Sequence, residues 1–138
     1  MTVNSNSSNE TVNVASELAK RLNGNEIIAL FGEMGAGKTA FVTGLAEGLD
    51  IKESVSSPTF ALVHEHSGKY SLYHFDMYRV TSWDDLESSG FFDYIGKGVI
   101  ACEWSENIEN ALPKEHIRVQ ITKTGENSRT IEITEKRT

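Results

Sequence analysis

Between residues 32 and 39 the chain reads Gly32-Glu33-Met34-Gly35-Ala36-Gly37-Lys38-Thr39, a fit to G-x-x-x-x-G-K-[ST], and each specified residue answers a need of polyphosphate binding. A loop that wraps phosphate must turn its backbone N–H groups inward, which calls for residues that tolerate positive φ and close approach; Gly32, Gly35 and Gly37 supply them. Lys38 can reach the β and γ phosphates. The Thr39 hydroxyl offers a hard oxygen to Mg²⁺. The plain alternative is a glycine-rich turn followed by a surface lysine. A random chain of this length matches the pattern with a probability of only about half a per cent, given average residue usage.

Phosphate chemistry of this kind also needs a carboxylate for the magnesium shell, placed at the end of an apolar strand beside the loop. Glu103 follows the apolar run Val99-Ile100-Ala101-Cys102 and fills that description. Asp76, in His74-Phe75-Asp76-Met77-Tyr78-Arg79, is the second acid after a β-rich run. It can orient an attacking water or simply pair with Arg79, and spacing alone leaves both open.

The elements around these residues have the required order. Ile27-Ile28-Ala29-Leu30-Phe31 is continuously apolar between Gly24 and Gly32, the mark of a strand covered on both faces. Lys38 to Leu49 places Phe41, Val42, Leu45, Ala46 and Leu49 on one side of a helix. Upstream, Ser7 and Glu10 form an S-x-x-E capping box, and Thr11, Ala15, Leu18, Ala19 and Leu22 recur at helical spacing, predicting a helix over 8–22. Residues 59–66 and 69–78 read as a hairpin joined by Ser67-Gly68. Ser82 caps a short helix ending near Gly90, and a further short helix is expected over 105–112. Residues 117–121 and 130–134 alternate with period two and predict a terminal antiparallel hairpin. The first nine residues, rich in Asn and Ser, read as a frayed end or an edge strand. Together these predict one α/β domain over residues 1–138, a three-layer P-loop NTPase-like fold whose mixed sheet has parallel core strands and antiparallel hairpins.

Composition excludes several classes. Thirteen basic and twenty acidic residues give a net charge of −7 and a pI near 5.1, a surface that repels phosphate backbones, so strong direct nucleic-acid binding is not expected. The longest apolar run is far too short to cross a bilayer. The polar start lacks the pattern of a secretory leader, and the single cysteine, Cys102, fits a reducing cytoplasm. Cys102 reads as a small core residue. His64 and His66 sit two apart on one strand face, but no further ligand falls at zinc spacing. Trp83 is expected to pack the short helix, and Phe91, Phe92 and Tyr94 to be mostly core.

The phosphate loop, then Ser57-Pro58-Thr59-Phe60, then His74 to Arg79, then Glu103-Trp104, in that order and within this length, resemble the bacterial TsaE family, also called YjeE. The likeness runs from about Thr11 to Arg129. No later motif is specific alone; the four together are. The resemblance implies a cytoplasmic Mg-ATPase needed to make threonylcarbamoyladenosine (t6A) in tRNA, working with a TsaB–TsaD pair in which TsaD transfers the threonylcarbamoyl group. Carried over by motif, Gly32, Glu33, Met34, Gly35, Ala36, Gly37, Lys38, Thr39 and Ala40 bind ATP, and Thr39 and Glu103 hold Mg²⁺. Asp76 and Lys38 serve hydrolysis. Residues 57–60 correspond to a switch segment, with Thr59 near the γ-phosphate, and Trp104 stands close to the nucleotide. Thr11 and Arg129 are implied on the base or ribose side. The family commonly spells the loop with Asp and Leu where this chain has Glu33 and Met34, both at variable positions. A small-molecule kinase, or a nucleotide-dependent binding switch without essential hydrolysis, are the competing functions; the scattered Arg21, Arg79, Arg118, Arg129 and Arg137 argue against the clamping lid of a kinase.

Overall fold

Five consecutive apolar residues at the middle of the molecule, Ile27–Phe31, are all buried, and they form the strand on which the rest is laid. The protein is described by a computed structural model covering residues 1–33, 35–53 and 63–136. In chain order these form β1 (Thr2–Ser5), α1 (Ser8–Ala19), β2 (Ile27–Phe31), α2 (Lys38–Gly48), β3 (Val63–Ser67), β4 (Ser71–Asp76), α3 (Trp83–Ser88), α4 (Phe91–Tyr94), β5 (Val99–Glu103), a 3-10 helix (Ser105–Ala111), β6 (His116–Lys123) and β7 (Arg129–Lys136).

The seven strands make one sheet in the order β1-β7-β6-β2-β5-β4-β3. β2 pairs in parallel with β5 on one side and β6 on the other, and β4 pairs in parallel with β5. The outer pairs, β3 with β4, β6 with β7 and β1 with β7, are antiparallel. A strand flanked by parallel neighbours and covered on both faces is apolar along its covered length, which is why β2 and the 99–102 run of β5 show no alternation. β6, near the edge, alternates buried and half-buried residues along 116–121.

Helices cover both faces, so the layers are helix, sheet, helix as the sequence predicts. On one face Leu18, Phe41, Leu45 and Leu49 pack with Leu30, Leu72 and Ala101; on the other Met77, Leu86 and Phe91 pack with Phe75, Ile100 and Cys102. Side chains alternate along a strand. Leu72, Val99 and Ala101 face α1 and α2, so His74, Asp76 and Glu103, at even spacing from them, fall on that same face. The helices α1 and α2 approach so closely that a Cβ on Gly44 would lie 2.2 Å from the Val12 carbonyl oxygen.

The capping box forms. The Glu10 N–H donates to Ser7 Oγ at 3.1 Å, and the Glu10 carboxylate accepts the Asn6 N–H, one residue outside the usual reciprocal bond. Helix α1 stops at Ala19, three residues short of the expected end. The chain tightens there into i→i+3 bonds from Arg21 to Leu18 and Leu22 to Ala19, which still bury Leu22. The expected helix over 105–112 is a 3-10 helix kinked at Ile108. The polar start resolves as an edge strand, β1 against β7. Of the expected hairpin, residues 63–76 pair as β3 and β4, and its earlier part lies outside the described residues. Trp83 departs from expectation: it is 58% exposed, stacked against Phe92, with its indole N–H donating to Glu87 on the next turn. Among the described residues no helix is long and apolar enough to cross a membrane.

Candidate functional site

The loop that leaves β2 is shaped for close approach. Gly32, Gly35 and Gly37 have φ of 149°, 81° and 105°, in the region L side chains avoid. A Cβ at Gly32 would lie 2.6 Å from the Ile121 carbonyl oxygen, whereas one at Gly35 would meet nothing within 4 Å. The first glycine, Gly32, is thus pressed against β6 while the second, Gly35, faces open space. Gly37 is the N-cap of α2 and brings no side-chain cap, leaving the first helical N–H groups and the positive end of the helix dipole for an anion.

Lys38, at the first position of α2, is 5% exposed. Its Nζ donates to the Gly32 carbonyl at 2.6 Å and lies 3.7 Å from the centre of the Trp104 ring. Burial pushes its pKa below the ordinary lysine value, opposed by the nearby carboxylates of Glu106, Glu103 and Asp76. Yet the ion pairs of the described residues do not include Lys38. The ammonium is surrounded by negative potential without being quenched by a single carboxylate.

The three acids are each held elsewhere. Asp76 and Glu103 are register partners at the ends of parallel β4 and β5, so they stand side by side beyond the sheet. Asp76 Oδ1 accepts the Tyr78 N–H at 2.9 Å, and the ion pair with Arg79 that spacing left open does not form among the described residues; Arg79 is exposed. Glu103 is 5% exposed, with its Oε2 2.5 Å from Nε2 of the wholly buried His74. Glu106, in the 3-10 helix, accepts the Gly32 N–H at 2.9 Å. Trp104, between Glu103 and that helix, takes a left-handed backbone with φ 58° and stacks on Tyr78 at 4.9 Å. A non-glycine residue in this region costs about 1–3 kcal/mol, here offset by ring contacts on both sides.

At the other side of the loop, Arg129 donates from Nε to the Ala36 carbonyl at 2.9 Å and from Nη2 to that of Gly35 at 3.0 Å. It also bonds the Ser128 carbonyl, so one guanidinium ties the β6–β7 turn to the loop. A notch lined by Ser7, Ser8, Thr11, Gly37, Ala40, Glu126, Asn127 and Arg129 runs past the start of α2. Thr11 is nearly wholly buried, its hydroxyl 2.8 Å from Ser5 Oγ. Glu33 and Thr39 are exposed beside the loop, Ala36 is buried beneath it, and the Thr39 carbonyl accepts the Thr43 hydroxyl.

Of the residues singled out from the sequence, Gly32, Glu33, Gly35, Ala36, Gly37, Lys38, Thr39, Ala40, Asp76, Glu103, Trp104, Thr11 and Arg129 gather at the C-terminal edge of the central strands. Met34, Thr59 and the segment 54–60 lie outside the described residues. Spacing gave no warning of Glu106, three residues after Glu103, or of the bond between His74 and Glu103; both depend on which strands are neighbours. Cys102 is fully buried, and desolvation pushes its thiol up to about 12, as a core role requires. His66 pairs with Glu53 at 2.6 Å, and among the described residues no three His, Cys, Asp or Glu groups are placed to hold a metal. The donors beside the loop, the Thr39 hydroxyl and the Glu103 carboxylate, are hard oxygens. That chemistry suits Mg²⁺, which keeps several waters and takes phosphate oxygens rather than a closed protein cage.

The match with known proteins covers this whole arrangement. Residues 5–131 match the family model of TsaE, threonylcarbamoyl adenosine biosynthesis protein TsaE. The tRNA threonylcarbamoyladenosine biosynthesis protein TsaE of Bacillus subtilis is 39% identical over 127 residues, 91% of this chain and 79% of that protein. Those of Treponema pallidum and Aquifex aeolicus are 34% and 44% identical, over 94% and 72% of this chain and 96% and 73% of their own. The crystal structure of Bacillus subtilis YdiB superimposes with a TM-score of 0.83 at 32% identity, over 99% of this chain and 86% of that one.

Proposed function

The chain belongs to the TsaE family of threonylcarbamoyl adenosine biosynthesis proteins, and from that premise we propose that it binds Mg-ATP at the Gly32–Thr39 loop and hydrolyses it in support of a cytoplasmic TsaB–TsaD threonylcarbamoyl transferase that makes t6A in tRNA. The observation that carries the reading is Lys38: a buried ammonium, beside a helix N-terminus without a side-chain cap and near three carboxylates, that forms no ion pair among the described residues. A cation kept in this way is matched to an anion that arrives from outside.

Each residue then has a task. Lys38 leaves the Gly32 carbonyl and the Trp104 ring for the β and γ phosphates, while the N–H groups at the start of α2 bind the phosphate oxygens. Thr39 and Glu103 would hold Mg²⁺, which supplies charge neutralisation across the β and γ phosphates. Asp76 keeps one carboxylate oxygen on the Tyr78 N–H and uses the other to orient the attacking water. Arg129 holds the loop from behind, through carbonyls, so that its N–H groups face the ligand. Trp104 shields the lysine from solvent on the remaining side.

The kinase reading has less support, because Arg129 is spent on loop carbonyls and Arg118 on Glu109 and the Phe31 ring. The decisive experiment is phosphate release from Mg-ATP, with and without purified TsaB–TsaD. Turnover is expected to be slow alone and faster with the pair. Lys38→Ala is expected to abolish it, and turnover unchanged in that variant would place the site elsewhere. Phosphate appearing on a metabolite instead of in solution would favour a kinase.

A further inference from the structure

We infer that His74 is a positioning residue for the site, one that holds the Glu103 carboxylate away from Lys38, so that the ammonium stays available to phosphate and the carboxylate to a divalent cation. This rests on the Mg-ATP reading above and adds to it a residue outside the loop.

The geometry is specific. His74 pairs with Ala101 across the parallel β4–β5 ladder, and Glu103 is two residues further along on the same face, so the imidazole spans the diagonal and meets the carboxylate at 2.5 Å. His74 is wholly buried, and its other ring nitrogen, Nδ1, has no hydrogen-bond partner among the described residues. A buried Nδ1–H without an acceptor would be costly; the arrangement therefore places the ring proton on Nε2, donating to Glu103, in one fixed orientation. The interior of a sheet has no structural need for a histidine there. Its neighbours Leu72 and Ala101 on that face are apolar, and an apolar residue of similar size would bury at lower cost.

Three carboxylates sit near one ammonium, and the favoured outcome in a partly dry site is collapse of one of them onto it. Each of the three has a competing donor: the Tyr78 N–H holds Asp76, the Gly32 N–H holds Glu106 and His74 holds Glu103. Glu103 is the most consequential, because it stands at a strand end beside Asp76. With Oε2 engaged by the imidazole, Glu103 offers a single oxygen outward. Without the imidazole, it is free to rotate onto Lys38 and neutralise the loop's only buried cation.

The test uses the full chain and a fluorescent, non-hydrolysable ATP analogue, titrated with and without Mg²⁺. In His74→Leu, Mg-free affinity for the analogue should fall by about tenfold, and the Mg²⁺ concentration for half-maximal metal-dependent binding should rise by roughly 10–100-fold, the usual consequence of losing a ligand's supporting partner. His74→Gln, whose amide can still donate to Glu103, should stay within about threefold of the parent, and His74→Asn, whose amide is too short, should behave like His74→Leu. Adding Glu103→Gln to His74→Leu should restore Mg-free affinity, because the carboxylate that captured Lys38 is gone; a merely structural role for His74 would show no such recovery. Unchanged binding in His74→Leu, or the same loss in the double variant, overturns the inference. If His74→Leu does not fold, equal behaviour of the Gln and Asn variants overturns it. Failure of the parent chain to bind the analogue at all would instead sink the Mg-ATP reading.

Discussion

Lys38 shows how much of a residue's chemistry is written in its neighbours. The pattern around it named the loop, yet what makes the side chain useful is burial against Trp104 and a carbonyl partner that can be exchanged for phosphate. The first glycine of the motif is equally open to test. At Gly32 a φ of 149° and the Ile121 carbonyl leave no room for a Cβ. Gly32→Ala should therefore lower stability by about 1–3 kcal/mol, through strain and overpacking, and weaken binding of the ATP analogue even where the protein remains folded. Urea unfolding followed by analogue titration measures both, and a Gly32→Ala chain of parental stability would refute the close approach. Lys38, Thr39 and the glycines were legible because a local loop needs only local spacing. Glu106 and His74 were not, since their partners are 74 and 29 residues away in sequence and become neighbours only when the sheet forms.

Among the elements, those with strong local signals appeared where expected: β2, α2, β5 and the capped starts of α1 and α3. Helix α3 is short, and its start is a second side-chain box. Ser82 Oγ accepts the Asp85 N–H at 3.1 Å, and Asp85 Oδ2 accepts both the N–H and the hydroxyl of Thr81 at 3.1 Å. These bonds favour the ionised carboxylate and hold the Asp85 pKa below the ordinary aspartate value of 3.8, the Thr81 backbone bond contributing most. A depressed folded-state pKa means that the contribution of the box to folding is present above the unfolded value and is lost as pH falls through the folded one. A carboxyl NMR titration should thus give Asp85 a midpoint below that of a free aspartate, with the Thr81 amide shifting at the same pH; an ordinary midpoint would contradict the box. Where local signals were weak, tertiary context took over. Helix α1 gives way to a tighter turn before Gly24, and the 105–111 segment is drawn into 3-10 geometry, its Ser105 hydroxyl bonded to the Cys102 carbonyl and Asn107 Nδ2 to that of Met77.

For the molecule as a whole, the net charge of −7 sets how it meets nucleic acid. In the reading proposed above the chain serves a tRNA modification through protein partners and has no need of a basic face, and the described site has its one buried cation spoken for by phosphate. The purified chain should accordingly bind tRNA no more tightly than the weak non-specific range of roughly 10⁻⁴ M, measured by fluorescence anisotropy across a salt series. Tight binding that weakens steeply with salt would show a phosphate-gripping surface that the charge argument excludes. By itself, the sequence determined the order of the strands and helices apart from α4 and the choice of β1 over a frayed end, together with the phosphate loop and the acids that follow apolar runs, because each depends on residues within a few positions of one another. Only the tertiary structure decided which acids touch which donors, that Lys38 has no carboxylate partner among the described residues, and that His74 stands behind Glu103. Those outcomes follow from parallel pairing of β4 with β5 and β5 with β2, contacts between distant segments whose register no short stretch of sequence encodes.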